Sequence, residues 1–318
     1  MDPAEFGIST LPLQHAPYAA ISSEALANTN VGKVAVVTGA GRGIGAAIAE
    51  SIAKTGANIA LLDLTVESQG ETKQACENAG VTALAYSCDV ANLENTKEVF
   101  NQVEKDLGPI DILVNCAGIF EQSPLAMASF DSIWRQIEVN FKGPLIGSYL
   151  ALPRMRQRRQ GCIINIASRS GTLDVPMCLG YNTSKAAVIR MTHTLQREME
   201  LDGLDDAIQL YALHPGGVLT AMGSWFASNL AATRADVTEK YGIVKDEAFY
   251  KNLFKDPPAL CGQTCAFLSA GKGKELRGFY LDSRQDVTKL LAAGREHLKS
   301  QQLNTLGVNF LDGYCNEP

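Results

Sequence analysis

The sequence predicts an α/β fold in which a doubly wound parallel sheet of about seven strands is flanked by helices. Three observations lead there. From Lys33 onward short β-rich apolar runs alternate with longer helical patterns, several runs are apolar on successive residues, and the first run leads directly into a glycine-rich turn. Unbroken apolar runs fit strands covered on both faces, and regular strand–helix alternation implies parallel strands joined by right-handed crossovers. The strand candidates are 34–37, 58–62, 82–86, 112–114, 162–166, 208–213 and 278–281. Helices are expected over 45–54, 66–78, 94–106, one long stretch from about 130 to 158, and 181–201.

Composition is consistent with such a core. Of 318 residues, 46% are hydrophobic and 19% charged, which excludes intrinsic disorder. A net charge of −6 argues against a nucleic-acid surface. Arg154, Arg156, Arg158 and Arg159 form one basic cluster, which reads as a solvated helix C-terminus stopped by Gly161, with a phosphate or nucleic-acid site as the alternative. No apolar run approaches the roughly 18 residues of a membrane span, so no membrane partner is expected. The eight cysteines contain no C-x-x-C pair and are read as buried free thiols of a reducing compartment. No Lys or Arg precedes Lys33, which removes the basic region of a secretory signal or presequence; a cytoplasmic location is expected. No His, Cys, Asp or Glu grouping has metal-ligand spacing, and no metal is expected.

Three regions follow from this organisation. Residues 1–31 are expected to be a poorly ordered leader, in part tag-derived, and 32–282 a single domain. Within that domain 220–255 mixes Met222, Trp225, Phe226, Leu230 and Tyr241 with polar residues and has little periodicity. It is read as a substrate lid, the alternative being a helical pair packed on the core or on a neighbouring subunit. Residues 283–318 form a C-terminal extension, apolar enough at Val287, Leu290, Leu291 and Leu298 to cover the lid or another subunit.

The first chemical motif is Thr38-Gly39-Ala40-Gly41-Arg42-Gly43-Ile44-Gly45, at a strand-to-helix junction. Glycines let the backbone turn tightly and approach a pyrophosphate, which free N–H groups at the helix N-terminus then meet. Asp63 ends the second strand, close to the roughly 20-residue offset at which a carboxylate binds the adenosine ribose hydroxyls. That carboxylate repels a 2′-phosphate and favours NAD, whereas Arg42 would favour NADP; the carboxylate is weighed more heavily. The second motif is Tyr181-x-x-x-Lys185, one face of a helix, following Ser168 at the end of the fifth strand, where crevice ligands of open α/β sheets bind.

Thr38-Gly39…Gly43-Ile44-Gly45, Asp89, Asn115-Cys116-Ala117-Gly118, Asn140, Ser168, Tyr181…Lys185 and Pro215-Gly216 stand in the order and approximate spacing of the short-chain dehydrogenase/reductase family, which the chain resembles over about 32–282. The segment from Pro257-Pro258 onward, with 276–280 and Asp286-Val287, looks similar to fungal oxidoreductases of specialised metabolism. The resemblance implies a Rossmann-type fold and a nicotinamide cofactor. It makes Tyr181 the acid/base, Ser168 the holder of the substrate oxygen, Lys185 the holder of the nicotinamide ribose, and Asn140 the residue securing a water between the lysine and solvent. A phenol with an ordinary pKa near 10 is a poor base, and the Lys185 ammonium and the positive nicotinamide are expected to lower it. Gly39, Arg42, Gly43, Ile44 and Gly45 would hold the pyrophosphate side. Asp89 and Val90 would meet the adenine, and Asn115, Ala117 and Gly118 would line the adenosine side. Cys116 stands where the family usually has Asn or Ala. Pro215, Gly216, Val218 and Thr220 would hold the carboxamide. His214 reads as a packed strand-end histidine.

A mostly apolar wall around Ser170 and Met177, opposite Phe120, together with Met222, Trp225 and Phe226 of the lid, points to a bulky apolar secondary alcohol or ketone as substrate. A homodimer or homotetramer through the two long helices is implied. Two other readings remain at this stage: redox-neutral epimerisation or dehydration on the same scaffold, and a dinucleotide-binding protein without catalysis.

Overall fold

The fold is taken from a computed structural model, which describes residue 9, residues 11–220, residues 254–308 and residue 311. Seven parallel strands form one sheet: β1 (Val34–Thr38), β2 (Asn58–Asp63), β3 (Ala83–Ser87), β4 (Ile110–Asn115), β5 (Gly161–Ile166), β6 (Ile208–His214) and β7 (Tyr280–Asp282). Their order is β3-β2-β1-β4-β5-β6-β7. The winding therefore reverses between β1 and β4, which opens a crevice at their carboxyl ends. β1, β5 and β6 are buried along their whole length, as their unbroken apolar runs require.

Helices cover both faces. They are α1 (Gly43–Ala53), α2 (Gly70–Asn78), α3 (Leu93–Leu107), α4 (Phe130–Ile137), α5 (Gly143–Arg158), α6 (Leu179–Leu201), α7 (Pro258–Ser269), α8 (Val287–Ala293) and α9 (Arg295–Ser300). Asn92 caps α3 and Ser129 caps α4, each side chain accepting from the backbone N–H three residues on. One apolar cluster lies between the sheet and α1 and α7; the other lies under α3 and α5. No described helix is long and apolar enough to cross a membrane, and no described group of three or more His, Cys, Asp or Glu is placed to hold a metal ion. Seven described cysteines are free thiols, all buried except the half-buried Cys116.

The structure departs from the sequence reading in four places. The single helix expected from 130 to 158 is divided by a π turn over Glu138–Lys142. Here the Gly143 N–H returns to the Glu138 carbonyl, and Pro144 has no N–H to return to the Asn140 carbonyl. Helix α7 was not anticipated. The leader is tied to the domain from Gln14 onward: Ile21 and Leu26 are fully buried in the core, and Asn30 donates to Thr55 Oγ1 at 2.9 Å and Ser269 Oγ at 3.1 Å. The extension folds back on its own chain, placing Val287 and Leu298 in the same core, and Asn304 exchanges backbone and side-chain bonds with Tyr280 on the outer strand.

Candidate active site

The glycine turn opens α1 without any side-chain cap on its first turn, leaving the leading N–H groups for a ligand. Two glycines are fixed by geometry. Gly43 has φ +59°, and a Cβ on Gly45 would stand 2.0 Å from the Gly39 carbonyl oxygen. Thr38 Oγ1 accepts from Cys116 N at 2.9 Å and Ala117 N at 3.1 Å, stitching the end of β1 to the end of β4 at the point where the winding reverses. Asp63 is held from both sides: Gly41 N donates to Oδ2 at 2.8 Å and Leu64 N to Oδ1 at 2.8 Å. Each oxygen keeps a free lone pair, and the carboxylate is only half-buried. Ile44 is half-buried in the same turn, and the Arg42 side chain is exposed beside it.

Across the crevice, Ser168 follows β5 and opens a short helical turn, its Oγ accepting from Ser170 N at 3.1 Å. Tyr181 stands beside Ser168, near enough for the serine to act on its phenol. Lys185, one turn further along α6, is buried; its Nζ donates to the Ile166 carbonyl at 2.8 Å and lies 5.6 Å from the Tyr181 ring centre. Ser168, Tyr181 and Lys185 thus come together. Asn140, fully buried in the π turn, spends its side chain on Ile119, accepting from its N–H and donating to its carbonyl at 2.8 Å each. Gly118 lies between Asn140 and Lys185: a Cβ there would be 3.2 Å from Asn140 Oδ1 and 4.0 Å from Lys185 Nζ.

The expected acidification of the phenol is not what these surroundings produce. Burial pushes Tyr181 up to about 12, with the Ser168 hydrogen bond opposing it only in part. Burial likewise pushes Lys185 down to about 8. Desolvation is the dominant cause for both groups. His214 is buried with both ring nitrogens unpartnered, and its burial lowers it to about 4, so it packs as a neutral side chain.

The remaining positions divide. Asn115 Nδ2 donates to Asn165 Oδ1 at 2.8 Å, and Asn165 Nδ2 to Thr192 Oγ1 at 2.9 Å, a buried chain crossing from β4 through β5 to α6. Asp89 is engaged by Arg135, 3.3 Å away, and Val90 lies buried against Gly143. Pro215, Gly216 and Val218 are buried beyond β6, and Thr220 reaches the glycine turn, its Cγ2 3.2 Å from where a Gly43 Cβ would stand. Of the substrate wall, Phe120 meets the Tyr181 ring edge-on at 5.1 Å, and Met177, at φ +65°, accepts from Ser123 N at 3.0 Å. Met222, Trp225, Phe226 and all but the ends of the proposed lid lie outside the described residues.

Sequence reasoning passed over Asn165, Arg135 and Asp256. Asn165 sits in an apolar strand, where a polar residue is itself a signal. Asp256 gave none. An uncapped helix start, a turn with no room for a side chain at Gly45 and a fixed carboxylate at the end of β2 together fit a dinucleotide.

Known proteins agree with this geometry. The family model described as short chain dehydrogenase matches residues 33–230. A short chain dehydrogenase of Pseudocercospora fijiensis is 29% identical over 285 residues, 89% of this chain and 90% of that protein. The short chain dehydrogenase mpl6 of Monascus purpureus is 32% identical over 280 residues, 86% and 87% of the two chains. A crystal structure from Sinorhizobium meliloti, assigned as a short-chain alcohol dehydrogenase, superposes with a TM-score of 0.68 at 28% identity, covering 82% of this chain and 97% of that one. The chain belongs to the short-chain dehydrogenase/reductase family of oxidoreductases, whose cofactor is a nicotinamide dinucleotide.

Proposed function

We propose that the protein is an NAD-dependent oxidoreductase interconverting a bulky, mostly apolar secondary alcohol and its ketone, with Tyr181 as acid/base. The observation that carries this reading is the convergence of Ser168, at the end of β5, with Tyr181 and the buried Lys185 on one face of α6 at the carboxyl ends of the strands. Ser168 would hold the substrate oxygen by hydrogen bond and so fix its carbon for reaction. A phenol held near 12 is protonated at neutral pH, the state that donates to a ketone oxygen, so its surroundings support the reductive direction first. When bound, the nicotinamide exchanges a hydride with the substrate carbon, and its oxidised ring adds the positive charge that favours phenolate in oxidation. Lys185 would hold the nicotinamide ribose, and Asn140 would secure a water between the lysine and solvent.

On the cofactor side the uncapped N–H groups of α1 would take the pyrophosphate, Asp89 and Val90 the adenine, and the Pro215, Gly216, Val218 and Thr220 segment the carboxamide. The doubly anchored Asp63 supports NAD over NADP, since a fixed carboxylate repels a 2′-phosphate. Ser170, Met177, Met222, Trp225 and Phe226 would contact the substrate. The exposed apolar side chains of α5, Leu145 and Tyr149, line a groove against Leu195 of α6 that suits a second copy. The buried thiols support a reducing, cytoplasmic setting.

The test is a panel of bulky apolar ketones and alcohols with each dinucleotide, read as absorbance of reduced nicotinamide. Net oxidation or reduction of the cofactor is expected. Product formation without net change would establish a redox-neutral reaction instead. Asp63→Ala should shift the ratio of NAD to NADP affinity toward NADP by roughly tenfold or more, and an unchanged ratio would transfer the preference to Arg42 or another group.

A further inference from the structure

The segment that precedes β1 is anchored on the turn that follows β7. Gln14 N donates to the Arg284 carbonyl at 2.8 Å, and the Tyr18 hydroxyl accepts from Val287 N at 2.9 Å. Between these anchors His15 Nδ1 stands 2.5 Å from Asp256 Oδ1. The Asp256 side chain is only 1% exposed, and its other oxygen accepts from Gly217 N at 2.6 Å, while its own N–H donates to the Gly217 carbonyl at 2.9 Å. Gly216, at φ +91°, is bound to this arrangement: a Cβ there would lie 2.8 Å from Asp256 Oδ2. Arg169 and Arg284 are within electrostatic reach of the same carboxylate. Both His15 and Asp256 lie outside the residues 33–230 that match the family model.

A buried carboxylate is costly unless its oxygens find donors. Gly217 serves one oxygen and His15 the other. We propose that His15 is a positioning residue of the cofactor site: by completing the hydrogen bonding of Asp256 it locks the segment from Gly216 to Thr220 against the glycine turn, so that the N-terminal segment takes part in dinucleotide binding without touching the dinucleotide. Without His15, Oδ1 loses its donor, the carboxylate turns toward water, and the Gly217 N–H is released with it. The role of the loop in holding the nicotinamide half rests on the function proposed above; the clamp itself does not.

The experiment compares wild type with His15→Ala and His15→Asn, the latter keeping an N–H donor near the Nδ1 position, in the full chain. Folding is checked by circular dichroism; His15 is 37% exposed at its side chain, so both variants should fold. In the free protein, amide exchange at Gly217 should quicken about tenfold or more in His15→Ala and return to within about twofold of wild type in His15→Asn. NAD affinity, by calorimetry, should weaken roughly 5- to 20-fold in His15→Ala and recover in His15→Asn, with KM for the dinucleotide following and kcat staying within about twofold. Unchanged Gly217 exchange in His15→Ala would overturn the clamp. Faster exchange with unchanged dinucleotide affinity, or a loss confined to kcat, would overturn its positioning role. A wild-type protein that binds no dinucleotide would overturn the function proposed above, and the exchange measurement would still decide the clamp.

Discussion

At Lys185 burial and chemistry pull in opposite directions. An ammonium whose pKa is brought down to about 8 carries a desolvation cost whenever it is protonated, and the single hydrogen bond to the Ile166 carbonyl does not remove it. Between about pH 8 and 10.5 the unfolded chain keeps this proton and the folded chain has lost it, so this group makes stability rise with pH across that window, by about 3 kcal/mol in all. Lys185→Met lacks the rise. Denaturant midpoints of the two proteins measured from pH 7.5 to 10 should therefore converge or cross in wild type's favour as pH increases; a difference independent of pH would show that Lys185 is not depressed. The glycine turn, Asp63 and the Tyr181–Lys185 pair were legible in the sequence because their geometry is local, set by one turn or by one helical repeat. His15 and Asp256 were not, because nothing in spacing links residues 241 positions apart.

Among the elements, the π turn shows how a local rule positions a distant group. The widened turn ahead of Pro144 presents Asn140 to the loop after β4, where it satisfies both backbone groups of Ile119. Asn140→Ala would remove both hydrogen bonds from the Ile119 backbone, at a cost of about 1–3 kcal/mol. Urea denaturation should register that loss, and a variant as stable as wild type would mean that the turn does not hold the loop. The sequence contained Gly143-Pro144, a helix-start signal that the reading of one helix from about 130 to 158 passed over. Helix α7 was missed for another reason. It is buried on nearly all sides, from Leu260 and Cys261 through Cys265 to Leu268, so it has no polar face and no stripe at helical spacing.

On the scale of the whole molecule, the family core is extended at both ends by segments that share its interior. Ile21 and Leu26 from the N-terminal side and Val287 and Leu298 from the C-terminal side enter the same cluster as α1 and α7. Arg295 and Lys299 of α9 reach Glu200 at the end of α6; burial works against that carboxylate, but hydrogen bonds from Arg197, Arg295 and Lys299 hold it at about 2. The composition of residues 1–31, rich in Ser, Thr, Asn and Ala, hid this role, since two buried apolar side chains are enough to anchor a strap that otherwise runs along the surface. Leu26→Ala should cost about 2–5 kcal/mol, measurable by thermal or chemical denaturation, and a loss below 1 kcal/mol would return the segment to the status of a leader.

Everything proposed for the chemistry meets at one hydroxyl. Tyr181→Phe, assayed for turnover alongside dinucleotide binding, should lose about 10²–10⁴-fold in kcat while its cofactor affinity stays within a few-fold of wild type. Turnover retained in that variant would contradict the assignment of Tyr181 as the group that exchanges the proton.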